Sequence, residues 1–446
     1  MKLFPIAQSK PWIYPWVPPT RQWRFVSACN RTANQVSLVG SGSYQTTMAS
    51  RVVHYIGSGD VSVIRLLMTN FTVGNSGVVN PGNTTTYNGV YLESLVSGTT
   101  VQFTFSAATS ITLADGEPGV LSDPIYPSAF GLSSFAKGTR VAVRSELKVP
   151  LNGTIIQASQ MDSADSLARY YNPGATACSN LSGTGALTYT GTAPTATYAP
   201  PSILIGKFVS GDPRVWLGQG TSILDGSGDT VSGDSGVGFF SRAMMGLTPA
   251  STALACLNMG KPSGGGNAWV TAGYTATTQF YNMLKYCNSV VLEYGTNNFD
   301  GTANGSQSNR TAQYIVEWGI ENYNRIYANY AEGTAAFKIL HTLLMPRCQS
   351  AGFSDASPAS QTVLGPKWDI GGDADLWNVQ MTADVGAFNR THYLFDPSSF
   401  TRIVPGNKSD ANFYKWVPNS TNDGTHPGAT LAALYGSNLR AYIDTL

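Results

Sequence analysis

Charge is scarce in this chain. Charged residues make up 12% of it, about half the usual share of roughly 25%. The 27 basic and 26 acidic residues nearly cancel, so no net field draws the protein to nucleic acid or to an anionic membrane. No run approaches the roughly 18 consecutive apolar residues of a membrane span. The opening Met1-Lys2-Leu3-Phe4-Pro5-Ile6-Ala7 lacks the continuous apolar core of about 7–15 residues that marks a signal peptide. The five cysteines, Cys29, Cys178, Cys256, Cys287 and Cys348, are scattered and form no Cys-x-x-Cys pair. Their spacing excludes an ordinary zinc site and a dense disulfide framework, and leaves room for a disulfide that cannot be placed. The Asp-bearing stretches at 162–165 and 369–375 do not match a calcium-binding EF-hand loop and read as solvated turns. No metal and no cofactor is expected.

What is present is polar but uncharged. The chain has 47 glycines and 22 tyrosines, with many Ser, Thr and Asn. That composition fits secreted, periplasmic or virion-associated proteins better than cytosolic enzymes, and an extracytoplasmic location is expected. At 446 residues and 42% hydrophobic content, the chain is long enough for two domains, each with a sizeable core.

The pattern changes near residue 200. Before it, short β-branched and aromatic runs bounded by Gly, Ser, Asn or Pro read as strands, notably at 61–71, 100–105 and 139–147. They suggest a β-sandwich or jelly roll over residues 1–200. The Trp- and Pro-rich opening reads as an extended arm, and residues 186–201 as an extended stretch leading onward. After residue 210, apolar strands alternate with helical spacing. Phe280, Met283, Leu284 and Cys287 are spaced for one helix. Ile315, Trp318, Asn322, Ile326 and Tyr330 are spaced for a longer one, with Asn322 as its polar interruption. A strand at 336–346 and a terminal helix at 428–443 complete the pattern. Strands alternating with helices predict an α/β domain with a parallel sheet over residues 201–446.

Chemistry concentrates in this second half. Asp423-Gly424-Thr425-His426 sets an Asp three residues before a His. The carboxylate can orient one imidazole nitrogen while the other takes a proton from a nucleophile. Upstream, residues 214–217 read as a short strand running into Gly218-Gln219-Gly220-Thr221-Ser222. A second apolar strand, Ser289-Val290-Val291-Leu292-Glu293, closes in Tyr294-Gly295-Thr296-Asn297-Asn298. In an open α/β sheet, functional groups gather beyond the carboxyl ends of the strands. A glycine-rich block, Asn258-Met259-Gly260-Lys261-Pro262-Ser263-Gly264-Gly265, lies between them. A literal Gly233-Asp234-Ser235 competes for the nucleophile, but it follows a polar loop, and a nucleophile needs a rigid element behind it. His341 sits mid-strand and reads as a core histidine. His54 and His392 lack an Asp at the same spacing.

These four blocks, in this order, resemble those of the SGNH (GDSL-type) hydrolase superfamily over about residues 213–446. Two departures stand out: Thr221 and Asn298 occupy positions where that family usually carries Asp. The resemblance implies a three-layer α/β/α domain and a serine esterase working through an acyl-enzyme. Ser222 would be the nucleophile, His426 the base and Asp423 its orienter. The N–H of Ser222, a glycine N–H near Gly264 and the Asn297 side chain would bind the oxyanion. Substrates would be small acyl esters, with O-acetyl groups on polysaccharide foremost and the β-rich half holding the carbohydrate. Two alternatives are a short-chain lipase or thioesterase, and a non-catalytic carbohydrate-binding or virion adhesion protein. Trp368, Trp377 and Trp416, in the long segment 350–422, are expected either to shape the substrate pocket or to pack that segment onto the domain.

Overall fold

The computed structural model describes residues 23–38, 46–74, 77–158, 165–171, 178–188, 195–196, 198–230, 236–266, 279, 281–299, 310–329, 337–350, 358–387, 392–403 and 407–446. The extended arm expected before residue 23 lies outside them, as do Phe280, Tyr330 and Gly233-Asp234-Ser235.

The first half is built from antiparallel sheets. The larger has seven strands; its centre is Thr85–Ser94, Arg140–Lys148 and Thr47–Tyr55. A four-stranded sheet orders Arg24–Phe25, Ile203–Phe208, Val61–Met68 and Val120–Leu121. Val52, Leu92 and Val143 of the first sheet share one buried cluster with Ile64, Leu66 and Ile205 of the second. Two sheets closing on one apolar layer make a sandwich-like arrangement. Within the stretch 186–201, Thr195–Ala196 is the edge strand of the larger sheet.

The second half carries a parallel sheet. Its order is Asn30–Arg31, Cys256–Gly260, Trp216–Gly220, Ser289–Glu293, Lys338–Thr342 and His392–Phe395, with every pairing parallel. Alternation along the strands divides the core. Trp216, Val291 and Leu340 face a cluster with the helices Gly238–Met245 and Ala429–Ile443. Leu217, Val290 and Ile339 face the helices Ala312–Asn329 and Asp373–Ala387. Helices on both faces of a parallel sheet give the expected three-layer α/β/α architecture. No described helix is long and apolar enough to cross a membrane.

The chain crosses between the halves. Asn30–Arg31, early in the sequence, adds an edge strand to the parallel sheet beside Leu257 and Asn258. The strand Ile203–Phe208 belongs to the four-stranded antiparallel sheet.

Three local expectations need correction. Gln279 and Tyr281 are helical, but the spacing at Met283, Leu284 and Cys287 falls beyond them, around the 3₁₀ turn Leu284–Tyr286, with all three side chains buried. The segment 350–422 is not a long loop. It holds the helix Asp373–Ala387 and the strand His392–Phe395. Its Trp368, Trp377 and Trp416 are at most 1% exposed, so they pack the fold and do not line a pocket. The Asp-rich stretch 369–375 is an exposed turn only as far as Gly372, and from Asp373 it is helix. Asp375 is buried and takes hydrogen bonds from Lys408 and Tyr414. Asp373 accepts from the N–H of Ala312 at 2.9 Å, so it caps the start of another helix. No group of three or more metal-ligating side chains occurs among the described residues.

Candidate active site

The blocks meet because of strand order. Setting aside the edge strand Asn30–Arg31, the second half runs 2-1-3-4-5, so the first strand has the second on one side and the third on the other. That reversal opens a crevice at the strand ends. Gly220 pairs with Gly260 on one side and with Glu293 on the other. The nucleophile, glycine and Asn blocks therefore leave the sheet at the same level.

Ser222 begins the short helix Ser222–Asp225 directly after the strand Trp216–Gly220. Gly220 makes the turn possible: a β-carbon there would lie 2.6 Å from the β-carbon of Leu224 and 2.8 Å from the carbonyl of Glu293. Thr221 caps the helix, its Oγ1 accepting the N–H of Ile223 at 3.2 Å. The same Oγ1 donates to the buried Glu293 carboxylate at 2.7 Å.

Asp423 and His426 lie on a tight turn before the helix Ala429–Ile443. Gly424 there adopts φ +74°, the left-handed region that glycine enters freely. Its carbonyl accepts the Trp416 indole N–H at 2.9 Å and the Cys348 N–H at 3.0 Å. Asp423 Oδ1 accepts the N–H groups of Thr425 and His426, each at 2.8 Å. Its Oδ2 lies 2.6 Å from His426 Nδ1. Across the turn, His426 Nε2 lies 2.8 Å from Ser222 Oγ. An ionised Asp423 is an acceptor only, so Nδ1 carries the proton and the Nε2 lone pair faces the serine hydroxyl. Partial burial opposes charge on Asp423. Hydrogen bonds from the His426 ring and from the His426 and Thr425 amides outweigh it and hold the carboxyl well below its usual range.

Asn297 is buried, and its Nδ2 donates to the Gly264 carbonyl at 2.9 Å. This contact fixes which way the amide points and leaves its second N–H available. Gly264 thus meets Asn297 through its carbonyl, while its own N–H donates to Lys261 O at 2.9 Å. That amide is engaged in a turn and is not directed at Ser222. Asn298 accepts the Gly266 N–H at 2.9 Å, so an amide there ties the Asn and glycine blocks together.

Several contributors were not legible in the sequence. Glu293 looks like the end of an apolar strand, yet it holds Thr221. Arg31, from the edge strand, donates to the Asp225 carbonyl at 3.0 Å and its carboxylate at 3.2 Å. Asn34 donates to Asp225 Oδ1 at 2.6 Å and to Gly260 O at 3.0 Å. The helix carrying Ser222 is thus braced by residues nearly 200 positions earlier. Asp229 accepts from the Gly238 N–H at 2.8 Å and from Arg242 Nε at 2.7 Å, closing the loop behind that helix. His341 is a core histidine, 3.2 Å from the Tyr323 hydroxyl.

No protein-family model matches this chain, and no curated protein matches it in sequence. Among solved structures, it is similar to a carbohydrate acetylesterase from Sinorhizobium meliloti at 13% identity and TM-score 0.34, covering 52% of this chain and 99% of that one. A peptidoglycan O-acetylesterase is similar at 10% identity and TM-score 0.35, covering 97% and 81% respectively. A GDSL-like lipase from Bacteroides ovatus is similar at 11% identity and TM-score 0.32, covering 90% and 84%. At these TM-scores the likeness carries no weight for function.

Proposed function

We propose that this protein is a serine ester hydrolase, with Ser222 as nucleophile, His426 as general base and then acid, and Asp423 as the orienter of His426. The observation that carries the reading is the unbroken chain Ser222 Oγ, His426 Nε2, His426 Nδ1, Asp423 Oδ2, with links of 2.8 and 2.6 Å. His426 takes the hydroxyl proton as Ser222 Oγ bonds to the ester carbon. The carbonyl oxygen becomes an oxyanion, held by the Ser222 N–H and the second N–H of Asn297. The ester C–O bond then breaks, and His426 returns its proton to the departing alkoxide. Water repeats the sequence on the acyl-enzyme, giving its proton to His426 and releasing the acid. Gly264 enters this scheme by aiming Asn297 through its carbonyl; its own N–H joins the oxyanion hole only if the turn to Lys261 opens.

For substrate we favour small acyl groups on carbohydrate, O-acetyl esters first. Support comes from the low charge of the chain and from a cavity of about 340 Å³ in the β-rich half. That cavity is lined by the polar Gln102, Thr104, Asp123, Tyr126 and Ser128 and by the apolar Val101, Pro124, Ile125 and Ala129. An exposed tyrosine ring beside an acid, an amide and hydroxyls suits a neutral sugar. On this reading residues 1–200 hold the carbohydrate, residues 201–446 cut the ester, and the protein works outside the cytoplasm.

The test is turnover of p-nitrophenyl acetate and of acetylated polysaccharide by the parent, Ser222→Ala and Ser235→Ala. Loss in Ser222→Ala alone is expected, by about 10⁴-fold or more. A folded parent inactive on both substrates would leave a binding protein. Faster cleavage of longer acyl chains than of acetylated sugars would favour a lipase or thioesterase.

A further inference from the structure

The nucleophile turn holds an unexpected carboxylate. Position 221 is Thr, where the resembled family usually carries Asp, so no acid lies inside the turn. Glu293 reaches it from the adjacent strand. This residue ends Ser289–Glu293, pairs with Gly220 across the sheet and is only 4% exposed. One carboxylate oxygen, Oε2, accepts the Thr221 N–H at 2.8 Å and the Thr221 hydroxyl at 2.7 Å. Thr221 Oγ1 in turn accepts the Ile223 N–H at 3.2 Å. Residues on both sides of Ser222 are therefore tied, directly or through one hydroxyl, to a single side chain on another strand. Burial pushes the Glu293 pKa up, and the two hydrogen bonds from Thr221 offset only part of that cost.

We propose that Glu293 is the positioning residue of the nucleophile turn, supplying from the neighbouring strand the carboxylate that position 221 lacks. It fixes Ser222 at the distance and angle His426 requires. The proposal rests on the serine-hydrolase reading. It also accounts for Thr221: a carboxylate there would face that of Glu293, and two buried like charges at hydrogen-bond distance repel.

The test uses the full chain and four variants: Glu293→Gln, Thr221→Asp, the double variant Thr221→Asp/Glu293→Gln, and Ser222→Ala. Active sites are titrated with a fluorophosphonate, the labelled residue is identified by mass spectrometry, and kcat and KM are measured per labelled site. In Glu293→Gln, kcat per site falls about 10- to 100-fold with KM within threefold, the scale of a misplacement of up to 1 Å at a reacting group. Thr221→Asp loses more. The double variant, with one carboxylate restored on the other side of the contact, recovers to within about tenfold of the parent. A merely structural Glu293 would lower the folded fraction and melting temperature but leave kcat per labelled site unchanged, and that result overturns the proposal. So does a double variant no better than Thr221→Asp. Failure of the underlying reading looks different: the parent's label is then absent from Ser222, or Ser222→Ala labels as the parent does, and the proposal falls with it.

Discussion

Gly228 faces His426 so closely that a β-carbon on it would lie 2.7 Å from the β-carbon of His426. The glycine follows the helix that carries Ser222, and it adopts φ +86°. Two constraints thus coincide at one residue, a left-handed backbone and the wall behind the histidine. Gly228→Ala is expected to displace His426 from Ser222 and cut kcat about 100-fold, since a shift near 1 Å costs that much. Esterase kinetics beside a circular dichroism spectrum will separate lost chemistry from lost fold.

Asn297 has one N–H committed to the Gly264 carbonyl and one left to donate. Asn297→Ala removes the oxyanion donor and is expected to lower kcat by about 10²–10³ while KM changes little. Asn297→Asp should be as poor or worse, because a carboxylate in the same place repels both the Gly264 carbonyl and the developing oxyanion. A kcat within threefold of the parent in Asn297→Ala would remove this residue from the oxyanion hole.

Arg31 and Asp225 are both at most 5% exposed. Besides Asp225, the guanidinium donates to Val237 O at 2.9 Å and Ser241 Oγ at 3.0 Å. Arg31→Met leaves a buried carboxylate short of its partner and is expected to cost about 3–5 kcal/mol. Urea unfolding will measure the loss. Because the contact braces the helix of Ser222, activity of the folded variant should drop as well.

Acid should destabilise the protein earlier than its carboxylates alone would require. Burial lowers the pKa of His54 to about 3, of His341 to about 3 and of His392 to about 4. In the unfolded chain each titrates near 6.5, at roughly the reference value. Between these limits the unfolded state binds protons that the native state refuses, so stability rises with pH there and is lost as pH falls below about 6.5. With all three protonated only when unfolded, the slope near pH 5 approaches roughly 4 kcal/mol per pH unit. Urea midpoints from pH 7 to pH 4.5 will test this; a flat profile down to pH 5 contradicts the burial of these histidines. Asp423 works in the same direction at lower pH. Its depressed pKa gives stability that is present above about 3.9, the unfolded value, and is lost as pH falls below it.

The candidate site was legible where its chemistry is local. Asp423 and His426 are three residues apart on one turn, and the spacing alone sets carboxylate against imidazole. The strands Trp216–Gly220, Ser289–Glu293 and Lys338–Thr342 were readable as short apolar runs ended by breakers or turn residues. The helix Asp373–Ala387 was not, because its apolar residues do not keep to one face: Trp377 is buried while Val379 is 41% exposed. A pattern reader sees acids and isolated tryptophans there, and infers a loop.

By itself, then, the sequence determined the local elements: strands that end in glycine, a turn that pairs Asp423 with His426, and an alternation of strand and helix that permits only a parallel sheet between layers. Tertiary structure decided everything that depends on which elements become neighbours. Strand order set Gly220 between Gly260 and Glu293, and so gave Thr221 a carboxylate from another strand. It brought Arg31 and Asn34 to Asp225, turned the Gly264 carbonyl toward Asn297, and buried the three tryptophans of the late segment. These contacts join residues that lie from tens to hundreds of positions apart. Hydrogen bonds and packing of that range follow from the folded path of the chain, and no local spacing records them.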